Sequence, residues 1–194
     1  MENYKKNLKL LENNHVYSTE MEHDACGVGV IASTEGKKSR QIVEYGIEAL
    51  KAVWHRGAVD ADGKTGDGAG IHVEIPKDFF IEKIEVTGHD YDNAEICVGM
   101  IFLPRNDYAA QESCKTIVES ELTKNNFSIY GWRQVPVNPK VLGDKALQTM
   151  PEIIQVLFKS NDTNLLDKKL ERKIYETRKR IENKAFQLSL NNFY

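Results

Sequence analysis

Between His55 and Gly70 the chain reads HRGAVDADGKTGDGAG, five glycines and three aspartates in sixteen residues. Glycine loses more backbone entropy than any other residue when it is fixed in a helix or strand, and Asp offers its own carboxylate to nearby backbone donors. The stretch therefore predicts a long structured loop rather than a regular element. It divides a chain of 194 residues unevenly, with one short strand pattern and one helical pattern before it and an alternation of strand and helix patterns after it. That length has room for one well-packed domain or two small ones.

Residues 1–25 are mostly polar and charged and predict a leader without a core pattern. At Cys26 the character changes, and Cys26-Gly-Val-Gly-Val-Ile31 predicts a short buried strand whose glycines admit other backbone closely. Ser39 to Trp54 sets Ile42, Val43, Ile47, Leu50 and Val53 near helical spacing, a core-facing helix with Gly46 as a small contact point. Beyond the loop, strands are predicted over Ile71–Ile75, Glu95–Leu103, Phe127–Val137 and Glu152–Phe158, the first two ended by Pro76 and Pro104. Helices are predicted over Asp107–Lys124 and Thr163–Asn183, and Ala185–Leu190 resumes a strand-like alternation. Cys114 shares a helical face with Ala110, Ile117, Val118 and Leu122 and reads as a packing residue. With no repeat of 20 to 50 residues, the pattern is that of an α+β layered domain.

Charge and cysteine content narrow the function classes. Lys and Arg number 26 against 29 Asp and Glu, a net charge of -3, so there is no global electrostatic case for nucleic acid or an anionic membrane surface. The basic residues of the last helix, Lys168 to Arg180, are interleaved with Glu171, Glu176 and Glu182 and read as a solvated face. Cys26, Cys97 and Cys114 are three, without CxxC spacing, which fits a reduced, cytoplasmic setting. The first 25 residues lack the apolar run of a secretory signal, and no stretch approaches the ~20 apolar residues of a membrane span.

Most motif-based chemistries fail on residue order. Counting from Asp60, the sixth position of a calcium loop is Thr65 rather than Gly and the twelfth is Ile71 rather than Glu. Lys64 precedes Thr65 and Gly66 in the wrong order for a phosphate-binding loop, and GxGxxG is absent. GxSxG is missing and the histidines lack metal-ligand spacing; His55, beside Arg56, reads as a structural hydrogen-bonder. Cys26 is left with two readings: a small apolar strand residue, or a nucleophile. In the second, cleavage of Ala25–Cys26 frees an α-amino group of pKa roughly 7.7 to 8.0 that can take the proton of its own thiol, of pKa roughly 8.5.

Three runs stand in order along the chain: Ala25-Cys26-Gly-Val-Gly-Val-Ile31-Ala32, His55-Arg56-Gly57-Ala58-Val59-Asp60-Ala61-Asp62, and Thr65-Gly66-Asp67-Gly68-Ala69-Gly70-Ile71. With Gly131-Trp132-Arg133-Gln134-Val135-Pro136 further on, the chain closely resembles the class II glutamine amidotransferase domain that opens the large subunit of glutamate synthase. The resemblance covers essentially the whole chain. It implies an N-terminal-nucleophile hydrolase fold, a four-layer αββα sandwich incomplete at its C-terminus. It implies that residues 1–25 are a propeptide removed by self-processing, and that residues 26–194 are the N-terminal part of the amidotransferase domain.

The same resemblance makes Cys26 the catalytic nucleophile and Arg56 a residue of the glutamine pocket, where its planar fork suits a carboxylate. The other reading of Arg56 is a structural ion pair with Asp60 or Asp62. The implied substrate is L-glutamine, and the ammonia released feeds glutamate synthesis. No cofactor or metal is implied in this segment; FMN and an iron–sulfur cluster are implied for the full-length parent. The implied protein partners are the remainder of the large subunit and a small subunit, with no nucleic acid and no membrane. In this family an Asn-Gly pair forms the oxyanion hole. Asn191-Asn192 is not followed by Gly, so that pair is expected beyond Tyr194 and the isolated piece is expected to be inactive. The alternatives are an inactive truncated remnant or an interaction module keeping the scaffold, or another N-terminal-nucleophile amide hydrolase.

Overall fold

Among the described residues, the central strand of the sheet is the last strand in sequence order. A computed structural model describes residues 6, 9, 27–53, 59–66, 68–190, 193 and 194. They fall into two units, residues 1–58 with 67–71, and residues 59–66 with 72–194.

In the first unit, helix α1 spans Arg40–Ala52 and follows Ser39 in extended conformation. Arg40 and Glu44 pair at 3.1 Å one turn apart. Gly46 is the expected contact point: a Cβ there would lie 3.1 Å from Ile71 Cδ1. The expectation of a core-facing helix is corrected, because α1 has no buried residue and Ile42, Val43, Ile47 and Leu50 are only half-buried. The expected strand at Cys26–Ile31 is corrected over the described residues 27–31, which form no strand and leave Val28 and Val30 exposed. Nothing lies within 4 Å of where a Cβ would stand on Gly27 or Gly29, so no backbone makes the expected close approach. Ile71–Ile75 is likewise not a strand. Both runs have strand-like alternation but no ladder partner among the described residues, and an unpaired extended segment lacks the hydrogen bonds that define a strand.

The second unit holds β1 (Cys97–Leu103), β2 (Phe127–Gln134) and β3 (Glu152–Ser160) in the spatial order β1-β3-β2. Both pairings are antiparallel, Cys97 opposite Phe158 and Phe127 opposite Ser160. Alternation sorts the side chains. Cys97, Ile101, Leu103, Ile154, Val156 and Phe158 point to one face, covered by α3 (Tyr108–Lys124) and α5 (Asp167–Gln187). Leu157, Tyr130 and Ile96 meet Phe80 and Ile84 of α2 (Lys77–Val86) on the other. Each fully buried aliphatic side chain, such as Leu103, Leu157 or Ile84, contributes roughly 1.5–3 kcal/mol of transfer free energy. Cys114 is fully buried in this core, as its helical position predicts. Asp107 caps α3 by accepting from the Ala110 amide at 2.9 Å. A short α4 (Asp144–Thr149) lies between β2 and β3. Neither α2 nor α4 is evident in the sequence pattern, since ten and six residues offer too few turns for periodicity to register.

The chain end also departs from expectation. α5 starts and stops four residues later than the predicted helix and takes in the first half of the run read as strand, because Leu170, Thr177 and Ala185 share its buried face. Leu190 and Phe193 pack on the core, and the Tyr194 backbone exchanges hydrogen bonds with Phe102 of β1 at 2.7 and 3.1 Å.

The β2–β3 register shifts between Ile129 and Gly131, leaving Tyr130 as an extra residue. The bulge sends Tyr130 to the α2 face, where its hydroxyl donates to Asp92 Oδ1 at 2.6 Å and its carbonyl accepts from Thr87 Oγ1 at 2.7 Å. Burial first, then the hydrogen bond to Asp92, pushes the Tyr130 hydroxyl pKa up, while hydrogen bonds from Lys159 and then Tyr130 lower that of Asp92 to about 2. Gly131 has φ +150, and a Cβ there would stand 2.7 Å from Thr87 Cγ2. On the opposite face the buried Glu121 of α3 accepts from Lys184 of α5 and, at 3.4 Å, from Lys124.

Two outcomes follow. Gly131→Ala should cost about 1–3 kcal/mol through backbone strain and the Thr87 clash, read as a lowered urea midpoint with an unchanged slope. The Lys184 hydrogen bond holds Glu121 below the ordinary glutamate range, so its folded pKa lies under its unfolded one. That stabilisation is present above the unfolded value of about 4.3 and lost as pH falls through the folded pKa. The stability gap between the protein and Glu121→Gln should thus be full at neutral pH and close as the solution is acidified below about pH 4 in urea titrations.

Candidate functional site

The described part of the glycine-rich loop is not shapeless. Val59 and Gly66 form an antiparallel bridge, and the Asp60 amide donates to the Thr65 carbonyl at 2.7 Å. The turn between them closes where the Gly63 amide donates to the Asp60 carbonyl at 2.9 Å, with Gly63 at φ +68, a region that favours glycine. Asp62 locks the tip: its Oδ1 accepts from the Lys64 and Thr65 amides at 2.9 and 2.7 Å, and its Oδ2 from the Thr65 hydroxyl at 2.5 Å. These bonds, the Thr65 hydroxyl first and then the Thr65 and Lys64 amides, hold the Asp62 carboxyl well below the usual range, with a smaller contribution from the Lys145 amide.

The hairpin is fastened to residues 143–145. Lys145 Nζ reaches Asp60 Oδ2 at 2.6 Å across 85 positions of sequence. A Cβ on Gly143 would fall onto Asp62 Oδ2 and Thr65 Oγ1 and come within 2.6 Å of the Thr65 backbone nitrogen. Gly143 has an ordinary φ of -76, so its requirement is space rather than conformation. The two aspartates of the Asp60-Ala61-Asp62 run therefore act as hairpin and docking groups. Sequence reasoning missed Gly143 and Lys145, because nothing within residues 139–150 signals a partner so far away in the chain.

Cys26, His55, Arg56 and Asp67 lie outside the described residues. Of the remaining cysteines, burial pushes the Cys97 thiol up to about 12, and burial also raises that of Cys114. Neither is a thiolate at neutral pH. The Gly131–Pro136 run is engaged structurally: Trp132 Nε1 donates to Glu119 at 2.7 Å and Arg133 to Gln155 at 2.7 Å, while Gln134 donates to Glu152. At that end of the sheet an open polar cleft of about 420 Å³ is lined by Arg105, Tyr108, Lys115, Gln134 and Glu152, none of them a sequence-predicted site residue. Among the described residues no helix is long and apolar enough to cross a membrane.

Residues 26–194 match the family described as glutamine amidotransferases class-II. The chain belongs to that family. This amidotransferase chain is 50% identical over 191 residues to the glutamate synthase [NADPH] large chain of Azospirillum brasilense, covering 98% of this chain and 12% of that protein. It is 39% identical over 175 residues to the ferredoxin-dependent glutamate synthase of Pyropia yezoensis, covering 90% of this chain and 11% of that protein. With the chloroplastic ferredoxin-dependent glutamate synthase 2 of Arabidopsis thaliana it shares 40% identity over 162 residues, 83% of this chain and 10% of that one. The chain thus spans about an eighth or less of the length of these curated relatives.

Gly143→Ala should force the Thr65 backbone away from residues 143–145. Amide hydrogen exchange at Lys64 and Thr65 should then speed up by about tenfold or more, with the exchange of β3 unchanged.

Proposed function

We propose that this amidotransferase domain releases ammonia from L-glutamine for glutamate synthesis within a larger polypeptide, with Cys26 as nucleophile. The observation that carries the reading is that the family match opens on Cys26 itself. Two further points support it: Cys97 and Cys114 are buried and held protonated, and the A. brasilense and P. yezoensis relatives are glutamate synthases by name.

In this reading residues 1–25 are removed by self-processing, so that Cys26 gains a free α-amine. The amine takes the thiol proton, and the sulfur attacks the side-chain amide carbon of glutamine to give a tetrahedral oxyanion. The C–N bond breaks, ammonia leaves with the proton returned by the ammonium group, and a γ-glutamyl thioester remains. Water, its proton taken by the same amine, attacks the thioester; the C–S bond breaks, glutamate departs and the thiol is restored. Arg56 binds the substrate carboxylate through its guanidinium.

The whole domain is the four-layer αββα sandwich of the N-terminal-nucleophile hydrolases, to which the β1-β3-β2 sheet and its α3 and α5 layer contribute, and it is completed by chain beyond Tyr194. FMN and an iron–sulfur cluster belong to the remainder of the large subunit. A cluster needs thiolate ligands, and the two described cysteines do not fit that role, being buried in the core and protonated. We place the protein in the cytoplasm, working with L-glutamine, the rest of the large subunit and a small subunit, without nucleic acid or membrane.

Intact mass and glutaminase activity, measured together on the polypeptide that carries this segment, test the reading. The mass should begin at Cys26, and Cys26→Ala should leave residues 1–25 attached and lower glutamine hydrolysis by at least about 10⁴-fold. Hydrolysis that persists in the variant would overturn the assigned nucleophile.

A further inference from the structure

We propose that His89 carries its ring proton on Nδ1 and donates it to the Thr87 hydroxyl, the first link of a latch that holds the bulge of β2. All the groups concerned lie in the second unit, and the latch is independent of the glutamine reading.

Which ring nitrogen of a histidine carries the proton is decided by the neighbours that each nitrogen has. Thr87 Oγ1 lies 2.6 Å from the Ile84 carbonyl, 2.7 Å from the Tyr130 carbonyl and 3.2 Å from His89 Nδ1. A hydroxyl has one proton to give and two lone pairs with which to accept, whereas a carbonyl can only accept. Two carbonyls therefore compete for the single Thr87 proton, and none is left for the imidazole. A bare Nδ1 at this distance would set lone pair against lone pair; an N–H there meets a free acceptor. The Ile84 carbonyl also receives the Thr87 amide at 2.9 Å, which leaves the hydroxyl proton to Tyr130. The bonds then run one way, from imidazole to hydroxyl to the carbonyl of the bulge.

What the latch holds follows from where Tyr130 sits. It is the extra residue of β2 and is 4% exposed, so an unlatched bulge would leave its carbonyl without the Thr87 hydroxyl in a place that water reaches poorly. The segment from Thr87 to Asp92 grips this one residue at both ends, Thr87 at its carbonyl and Asp92 at its hydroxyl. The His89 ring stands edge-on to the Tyr130 ring with centroids 6.4 Å apart, so the imidazole is placed by packing as well as by its bond. His89 is itself exposed, and water alone can serve either ring nitrogen. A fixed tautomer thus reports the Thr87 bond rather than solvation.

The test uses the intact polypeptide that carries this segment, isotopically labelled at the histidine nitrogens, with His89→Phe as the difference control that assigns the His89 signals. In magnetic resonance spectra at alkaline pH, where imidazoles are neutral, His89 should show a protonated Nδ1 and a bare Nε2. Thr87→Ser should keep that pattern and Thr87→Val should abolish it. A bare Nδ1 in the parent, or a protonated Nδ1 that persists in Thr87→Val, overturns the donor assignment. Amide exchange over residues 129–132 should quicken by about threefold or more in His89→Phe, which keeps a ring but has no donor, with β1 unchanged. His89→Asn, which keeps an N–H donor at the δ position, should exchange as the parent does. Unchanged exchange in His89→Phe, or equal quickening in His89→Asn, overturns the latch.

Discussion

Everything described between residues 72 and 194 depends on β3 entering between two strands that do not touch each other. β1 and β2 are separated in the sheet by a strand that follows both in the chain, and each ladder closes a loop of tens of residues before it returns any hydrogen bond. Once β3 is seated, its alternation fixes what each helix can bury. Ile154, Val156 and Phe158 supply the floor for α3 and α5, and Leu157 on the reverse side meets α2. The buried Glu121 then joins α3 to α5 with a charge-assisted bond from Lys184, which gains from the burial around it.

The single bulge in β2 matters because a strand otherwise alternates without exception. Inserting Tyr130 puts it beside Gly131 on the α2 face and returns Trp132 to the α3 face, where its indole finds Glu119. The absence of a side chain at residue 131 lets Thr87 approach and donate to the Tyr130 carbonyl. A tryptophan, an arginine and a glutamine that stand together in sequence are thereby distributed to three separate polar partners.

The same distinction between local and distant partners applies to the glycine-rich loop. Of its described aspartates, Asp62 is held mainly by bonds within three residues and Asp60 by a lysine that arrives from far along the chain. The loop is built to be placed, and residues 143–145 place it.

Sequence alone determined what depends on neighbours within a few positions. The helix that follows β1, the burial of Cys114 on its face, the three strands of the sheet and the turn chemistry of residues 59–66 were all legible, as was the family, from its ordered motifs. Tertiary structure decided what depends on a partner remote in the chain. Strand-like runs at 27–31 and 71–75 form no ladder, α1 buries no residue, and the run after Asn183 completes a helix because Ala185 continues its buried face. It alone revealed that Gly143 and Lys145 serve a loop some eighty residues earlier. Propensity and periodicity act over a turn or a pleat, whereas pairing, burial and charge partnership are properties of which surfaces meet, and the order of residues does not state that by itself.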